Sequence, residues 1–113
     1  MMPLPHVLRR EDGPETRFDL RLDADHLAFE GHFPGNPILP GVIQVDWAIR
    51  LGEEAFGPLG RFQGLQNLKF MDLARPGEEL SLFLTFDGAK LTFRYEGQEK
   101  RKSSGVVLFG ERS

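Results

Sequence analysis

The residues best suited to chemistry lie between Glu30 and Trp47, in EGHFPGNPILPGVIQVDW. His32 supplies an imidazole, which is a base near neutral pH when uncharged. Asp46, fourteen residues on, supplies a carboxyl group. Its neighbours Val42, Ile43, Val45 and Trp47 are apolar. A carboxylate in such surroundings is costly to ionise, so its pKa is expected to rise, the direction a proton donor needs. Gly41 stands where a helix is expected to begin, and the first N–H groups of a helix have no intrahelical partner. Such a group can hold negative charge that develops on a carbonyl oxygen, an effect worth a few kcal/mol. A base, an acid and an oxyanion donor in one short segment suit removal of a proton beside a carbonyl together with expulsion of a poor leaving group.

Those groups need a scaffold that holds them still. Glycine and proline recur from Asp23 to Gly41, so no regular element is expected there. Leu27, Phe29, Phe33, Ile38 and Leu39 make the stretch too apolar for a solvated linker, which predicts a loop packed in one shape. Val42 to about Phe56 reads as a helix that is apolar on most sides at first. Gly57 and Pro58 end it. The alternation of Phe18, Leu20 and Leu22 with Arg17, Asp19 and Arg21 predicts a half-buried strand over 16–22, after a short strand over 4–11. Further strands are expected over 61–70, 79–86, 90–96 and 103–109, in hairpin order, with Asp87-Gly88 as the strongest turn signal. One sheet around one buried helix is an α+β arrangement, and so small a sheet leaves part of the helix for a second copy to cover.

The chain has 113 residues, enough for one domain, and nothing in it marks a boundary within 1–113. With 40% apolar and 27% charged residues it has the composition of a soluble globular protein. The net charge of -3 argues against nucleic acid as a partner. The absence of cysteine excludes disulfide scaffolds, thiolate metal sites and cysteine nucleophiles. No apolar run reaches the ~20 residues of a membrane span, and the N-terminus lacks a signal-peptide core, so a cytoplasmic protein is expected.

The motif segment resembles the signature of the bacterial 3-hydroxyacyl-acyl-carrier-protein dehydratases. His32, Phe33, Pro34 and Gly35 match the start of that signature, Pro37, Pro40 and Gly41 its middle, and Asp46 its acid. Lys69 to Leu80, with Phe70 and a Pro-Gly-Glu turn, looks like the strand and turn after the family's helix. The resemblance spans residues 16–109, and PGVIQVDWA looks most similar to the small dehydratases of aryl-polyene clusters. It implies a hot-dog fold, one antiparallel sheet wrapped around a central buried helix. It also implies dehydration of (3R)-3-hydroxyacyl groups on acyl carrier protein to trans-2-enoyl thioesters, as in fatty-acid or polyene biosynthesis. His32 would be the base, Asp46 the acid and the Gly41 N–H the oxyanion donor. Phe33, Pro34, Gly35, Leu39, Pro40 and Val42 would line the acyl site, with Val42 able to add a second N–H. The family's homodimers share their sites, the histidine of one subunit meeting the acid of the other. No cofactor is implied beyond the carrier's phosphopantetheine arm, and no metal.

One position departs from the pattern. Where relatives carry a glutamine four residues after the acid, this chain has Arg50, which is expected to point away from Asp46. His26, Glu30 and His32 lack the spacing of a metal site. Lys100, Arg101 and Lys102 read as a solvated hairpin end or as a landing patch for an acidic carrier protein, with Arg61, Lys69 and Arg75 as rivals. A hot-dog thioesterase, or an acyl- or carrier-binding module without activity, is the alternative reading of the same fold.

Overall fold

The computed structural model describes residues 2–30 and 35–111. The elements run β1 (His6–Glu11), β2 (Thr16–Arg21), a 3-10 turn (Leu27–Phe29), α1 (Gly41–Phe56), β3 (Arg61–Phe70), β4 (Glu79–Phe86), β5 (Lys90–Gly97) and β6 (Lys100–Gly110). All strand pairs are antiparallel, in the order β1-β2-β4-β5-β6-β3. The sheet curls around α1, which buries Ile43, Gln44, Val45, Trp47, Ala48, Leu51 and Gly52.

The core follows from alternation. Phe18 and Leu20 of β2, Leu80, Leu82 and Leu84 of β4, and Leu91, Phe93 and Tyr95 of β5 all turn inward onto the helix. Each such large side chain contributes roughly 1.5–3 kcal/mol by leaving water. Gly52 lets the helix lie close on β5, because a Cβ there would sit 3.1 Å from both methyls of Leu91. The helix closes at Gly57, whose N–H donates to Glu53 O.

Three expectations need correction. The four strands after the helix are not in simple hairpin order. β3 leaves the helix and pairs with β6 at the far edge, so residues 71–78 cross the end of the sheet to reach β4. The Met71 and Asp72 N–H groups both donate to Lys102 O, which anchors that crossing. The loop expected to lack regular structure holds one 3-10 turn, capped by the His26 ring, which accepts from the Ala28 N–H. Finally, Lys100–Lys102 belongs to β6 rather than to a solvated turn. Gln98 and Glu99, both at positive φ, make a two-residue turn, and the strand starts at once. The register pairs Tyr95 with Ser103 and Glu96 with Arg101, leaving Lys102 as the extra residue of a bulge. It turns inward, 2% exposed, and donates to Asp72 (2.9 Å) and the Leu73 carbonyl (3.0 Å) beside Glu78 (3.2 Å). Burial alone would lower its pKa, but the two carboxylates outweigh that and raise it. Lys102 is therefore a strut and no part of a landing patch.

The two sheet edges differ in character. β1 is exposed but carries Arg9, Arg10 and Glu11, charges that discourage further pairing. β3 is ten residues long and leaves Phe62, Leu65, Leu68 and Phe70 exposed.

Candidate active site

Asp46 lies on the second turn of α1 and faces a groove of about 410 Å³ between the helix and β3. Gly41, Val42, Val45, Asp46 and Ile49 form the helix wall, the i, i+4, i+8 face of a 3.6-residue period. Phe62, Leu65, Leu68 and Phe70 form the strand wall. Simple alternation cannot put those four on one side. Bulges between Phe62 and Gly64 and between Gln66 and Lys69 reset the faces, with Asn67 at φ 52 inside the second. Among the described lining residues Asp46 is the one that ionises, set in an otherwise apolar trough.

The start of the helix opens into the same groove. Pro40 is the N-cap residue, and its carbonyl accepts from the Ile43 and Gln44 N–H groups, each at 3.2 Å. The Gly41 and Val42 N–H groups have no partner among the described residues. The ring of Phe70 packs directly over Gly41, and a Cβ there would fall 2.6 Å from the ring. Gly41 and Asp46 stand five residues apart, about 7.5 Å along the helix axis. An apolar trough with helix-start N–H donors at one end, unpaired among the described residues, and a carboxyl group along its wall can hold an acyl thioester, steady an oxyanion and exchange a proton.

Asp46 is not isolated as its sequence neighbours suggest. Ile43, Val45 and Trp47 turn inward, while the Asp46 side chain turns outward and stays 45% exposed. Arg50 also departs from expectation. It faces Asp46, with Nη1 donating to Oδ2 at 3.0 Å and to the Met2 carbonyl at 2.6 Å. One turn of helix brings i and i+4 together, and the Met2 carbonyl holds the guanidinium there. A helical i,i+4 pair of this kind, here partly buried, contributes only about 0.3–0.5 kcal/mol. The Trp47 indole donates to Pro3 O and His26 Nε2 contacts Leu4 O, so three successive carbonyls of the N-terminal segment are tied down beside the helix.

Of the residues singled out from sequence, Gly41, Val42 and Asp46 meet in the groove. Gly35 lies in an exposed turn at φ 85, Leu39 is buried in the core, and Pro40 caps the helix, so none of these three faces the groove. His32, Phe33 and Pro34 lie outside the described residues. Sequence reading missed the strand wall, whose signal is an apolar spacing on β3 that does not alternate. Tyr95 lies in the core behind Asp46 and does not line the groove. Burial, then the charge of Asp46, push this phenol well above its usual pKa, and its O–H donates to the Gln44 carbonyl at 2.6 Å.

A wider hollow of about 610 Å³ lies on the outer face of the sheet, over Arg9, Arg17, Asp19, Ser81 and Phe83. Its charges satisfy one another. Burial works against ionisation of Asp19, but Arg17, Ser81 and Arg9 outweigh it and hold the pKa low. That is a solvated charge ladder rather than a reactive centre.

An antiparallel sheet closed around one buried helix, with an acid on that helix facing an apolar groove, defines the hot-dog architecture of dehydratases. The dehydratase heterocomplex ApeI:P from Xenorhabdus doucetiae superposes with a TM-score of 0.86 at 33% identity, covering 94% of this chain and 97% of that one. The dehydratase domain of the polyketide PpsC from Mycobacterium tuberculosis shares the fold at 17% identity and a TM-score of 0.75, over 98% of this chain and 46% of that one. The chain belongs to the ApeI-like family, described as ApeI dehydratase, whose model matches residues 8–106. It is also 33% identical over 112 residues to the 3-hydroxyacyl-[acyl-carrier-protein] dehydratase FabZ of Thermoanaerobacter sp. (strain X514), covering 93% of this chain and 74% of the relative. A FabZ of Oenococcus oeni is 32% identical over 97 residues, 80% of this chain and 70% of that one.

Proposed function

We propose that this chain removes water from (3R)-3-hydroxyacyl thioesters carried on acyl carrier protein, leaving trans-2-enoyl thioesters. The observation that carries the reading is Asp46, which among the described residues is the ionisable group of an apolar groove that Gly41 and Val42 also line. The neutral His32 imidazole takes the C2 proton, and the C–H electron pair moves toward the thioester carbonyl. The Gly41 N–H, with that of Val42, steadies the charge on its oxygen. As the electrons return to form the C2–C3 double bond, the C3–O bond breaks. The Asp46 carboxyl group gives its proton to the departing hydroxyl, which leaves as water. The weak Arg50 pair is small enough to give way when substrate fills the groove. The phosphopantetheine arm of the carrier supplies the thioester, and no further cofactor enters the chemistry.

The reading also takes residues 1–113 as one dehydratase domain in the cytoplasm, where carrier-bound acyl groups are processed. A second copy of the chain is its partner, seated along β3. The exposed Phe62, Leu65, Leu68 and Phe70 on an unpaired edge strand support this, since such an edge is an association site unless covered. The solved relative is a heterocomplex, so a different chain is the competing partner. The molar mass of the purified chain in solution separates the two, and Leu65→Glu should return a dimer to monomer. The exposed cations Arg61, Lys69, Arg75, Lys100 and Arg101 remain candidates to meet the carrier.

Incubation with carrier-bound 3-hydroxyacyl chains of graded length, followed by mass spectrometry of the carrier, tests the function. A loss of one water is expected, abolished by His32→Ala and by Asp46→Asn. Release of free thiol would favour hydrolysis, and no turnover on any chain would favour a binding module.

A further inference from the structure

Gln44 is a polar residue where the core pattern asks for an apolar one. It is 3% exposed, on the face of α1 that carries Ala48 and Leu51. Burying an amide is costly unless its groups are bonded, and here both are. Nε2 donates to the Leu39 carbonyl at 3.2 Å, and Oε1 accepts from Ser103 Oγ at 2.7 Å. Ser103 itself is fully buried on β6.

We infer that Gln44 is a positioning residue for the oxyanion donors at the start of the helix. The inference rests on the dehydratase reading of the groove given above. Leu39 is held on both sides, its N–H donating to Ala74 O at 2.7 Å and its carbonyl accepting from Gln44. The Pro40 ring then fixes the next φ, at -62. The Pro40 carbonyl accepts from the Ile43 and Gln44 backbone N–H groups, so it points along the helix. The Gly41 N–H belongs to that same planar, trans peptide unit, and it must point the opposite way, out of the helix start, where Gly41 lines the groove. Gln44 therefore grips two successive peptide units, one with its side chain and one with its backbone. Ser103 holds the amide so that its NH2 group, not its oxygen, meets Leu39. Its neighbour Lys102 braces Leu73, next to the Ala74 carbonyl that holds the Leu39 N–H.

Hydration of a soluble enoyl thioester, measured as kcat and KM separately, tests the role. Gln44→Leu keeps the volume but loses both side-chain bonds. A preorganised oxyanion donor is worth on the order of 10²–10³ in kcat, so misdirecting one should lower kcat by about 10- to 100-fold with KM within about threefold. Ser103→Ala leaves the amide in place but free to rotate, and a smaller kcat loss is expected. Tyr95→Phe removes the neighbouring buried bond to the Gln44 carbonyl without touching Leu39. It should lower the melting temperature and leave kcat within about twofold. Unchanged kcat in Ser103→Ala and Gln44→Leu would overturn the inference, as would a kcat loss in Tyr95→Phe equal to theirs. Should Gln44→Leu not fold, the contrast between Ser103→Ala and Tyr95→Phe decides alone. Asp46→Asn, run in parallel, separates the two claims. Activity retained there removes the dehydratase reading itself, whereas activity lost there but kept in Ser103→Ala and Gln44→Leu removes only the role of Gln44.

Discussion

Gly41→Ala adds one methyl group at the point where helix, groove and edge strand meet. The backbone accepts alanine there without strain, because Gly41 has helical geometry. The obstacle is Phe70, whose ring atoms would lie 2.6, 2.8 and 3.0 Å from the new carbon. Carbon atoms pack without repulsion at about 3.5–4.0 Å, so the ring must retreat by about 1 Å. Phe70 is half exposed on an edge strand and can do so. Alanine also favours the helix over glycine by up to about 1 kcal/mol, which offsets part of the crowding. The folding free energy should therefore change by less than about 1 kcal/mol. Activity should not be spared, because the methyl and the displaced ring crowd the N–H proposed to hold the thioester oxygen. A displacement of about 1 Å at a reacting centre can cost on the order of 10²-fold in rate. Stopped-flow decay of enoyl-thioester absorbance gives the rate, and urea unfolding gives the stability. Phe70→Leu placed on the Gly41→Ala background should recover part of the lost rate by opening space. Wild-type turnover in Gly41→Ala, or a rate loss matched by equal destabilisation with no recovery, would overturn this account of Gly41.

Arg50→Ala should leave turnover within about threefold, since a helical i,i+4 pair contributes about 0.3–0.5 kcal/mol, and steady-state rates on a carrier-bound substrate check this. Lys102→Met should destabilise the fold by about 3 kcal/mol, near the low end for breaking a buried pair because Asp72 is open to solvent, as urea unfolding would measure. Acid should unfold the chain through its bonded carboxylates. Asp19, Asp72 and Asp87 are all held below the usual value of 3.8, Asp72 by Lys102, Asp87 by the Lys90 and Ala89 N–H groups, and Asp19 by Arg17 and Ser81 against the effect of burial. Their folded pKa values lie below the unfolded ones, so their stabilisation is complete above that value and drains away as pH falls through the folded values. The urea midpoint should hold steady down to about pH 5 and drop below about pH 4.

The spacing of residues carried the motif and most of the elements. His32, Gly41 and Asp46 stand out because histidine, a helix-opening glycine and an acid among apolar residues are distinctive types at distinctive intervals. Strands β2, β4 and β5 were legible from alternation, and the helix from its apolar run closed by Gly57 and Pro58. Arg50 and Lys102 were misread because the direction of a long side chain depends on partners distant in sequence, the Met2 carbonyl for one and Asp72 for the other. Local pattern thus encodes which face of a strand or helix avoids water. Three-dimensional packing alone chose the neighbour of β3, the bulges that turn Phe62, Leu65, Leu68 and Phe70 into a single wall, and the buried amide of Gln44 that grips the start of the helix. Each of those depends on contacts between segments tens of residues apart, and hydrophobic periodicity carries no information about such pairings.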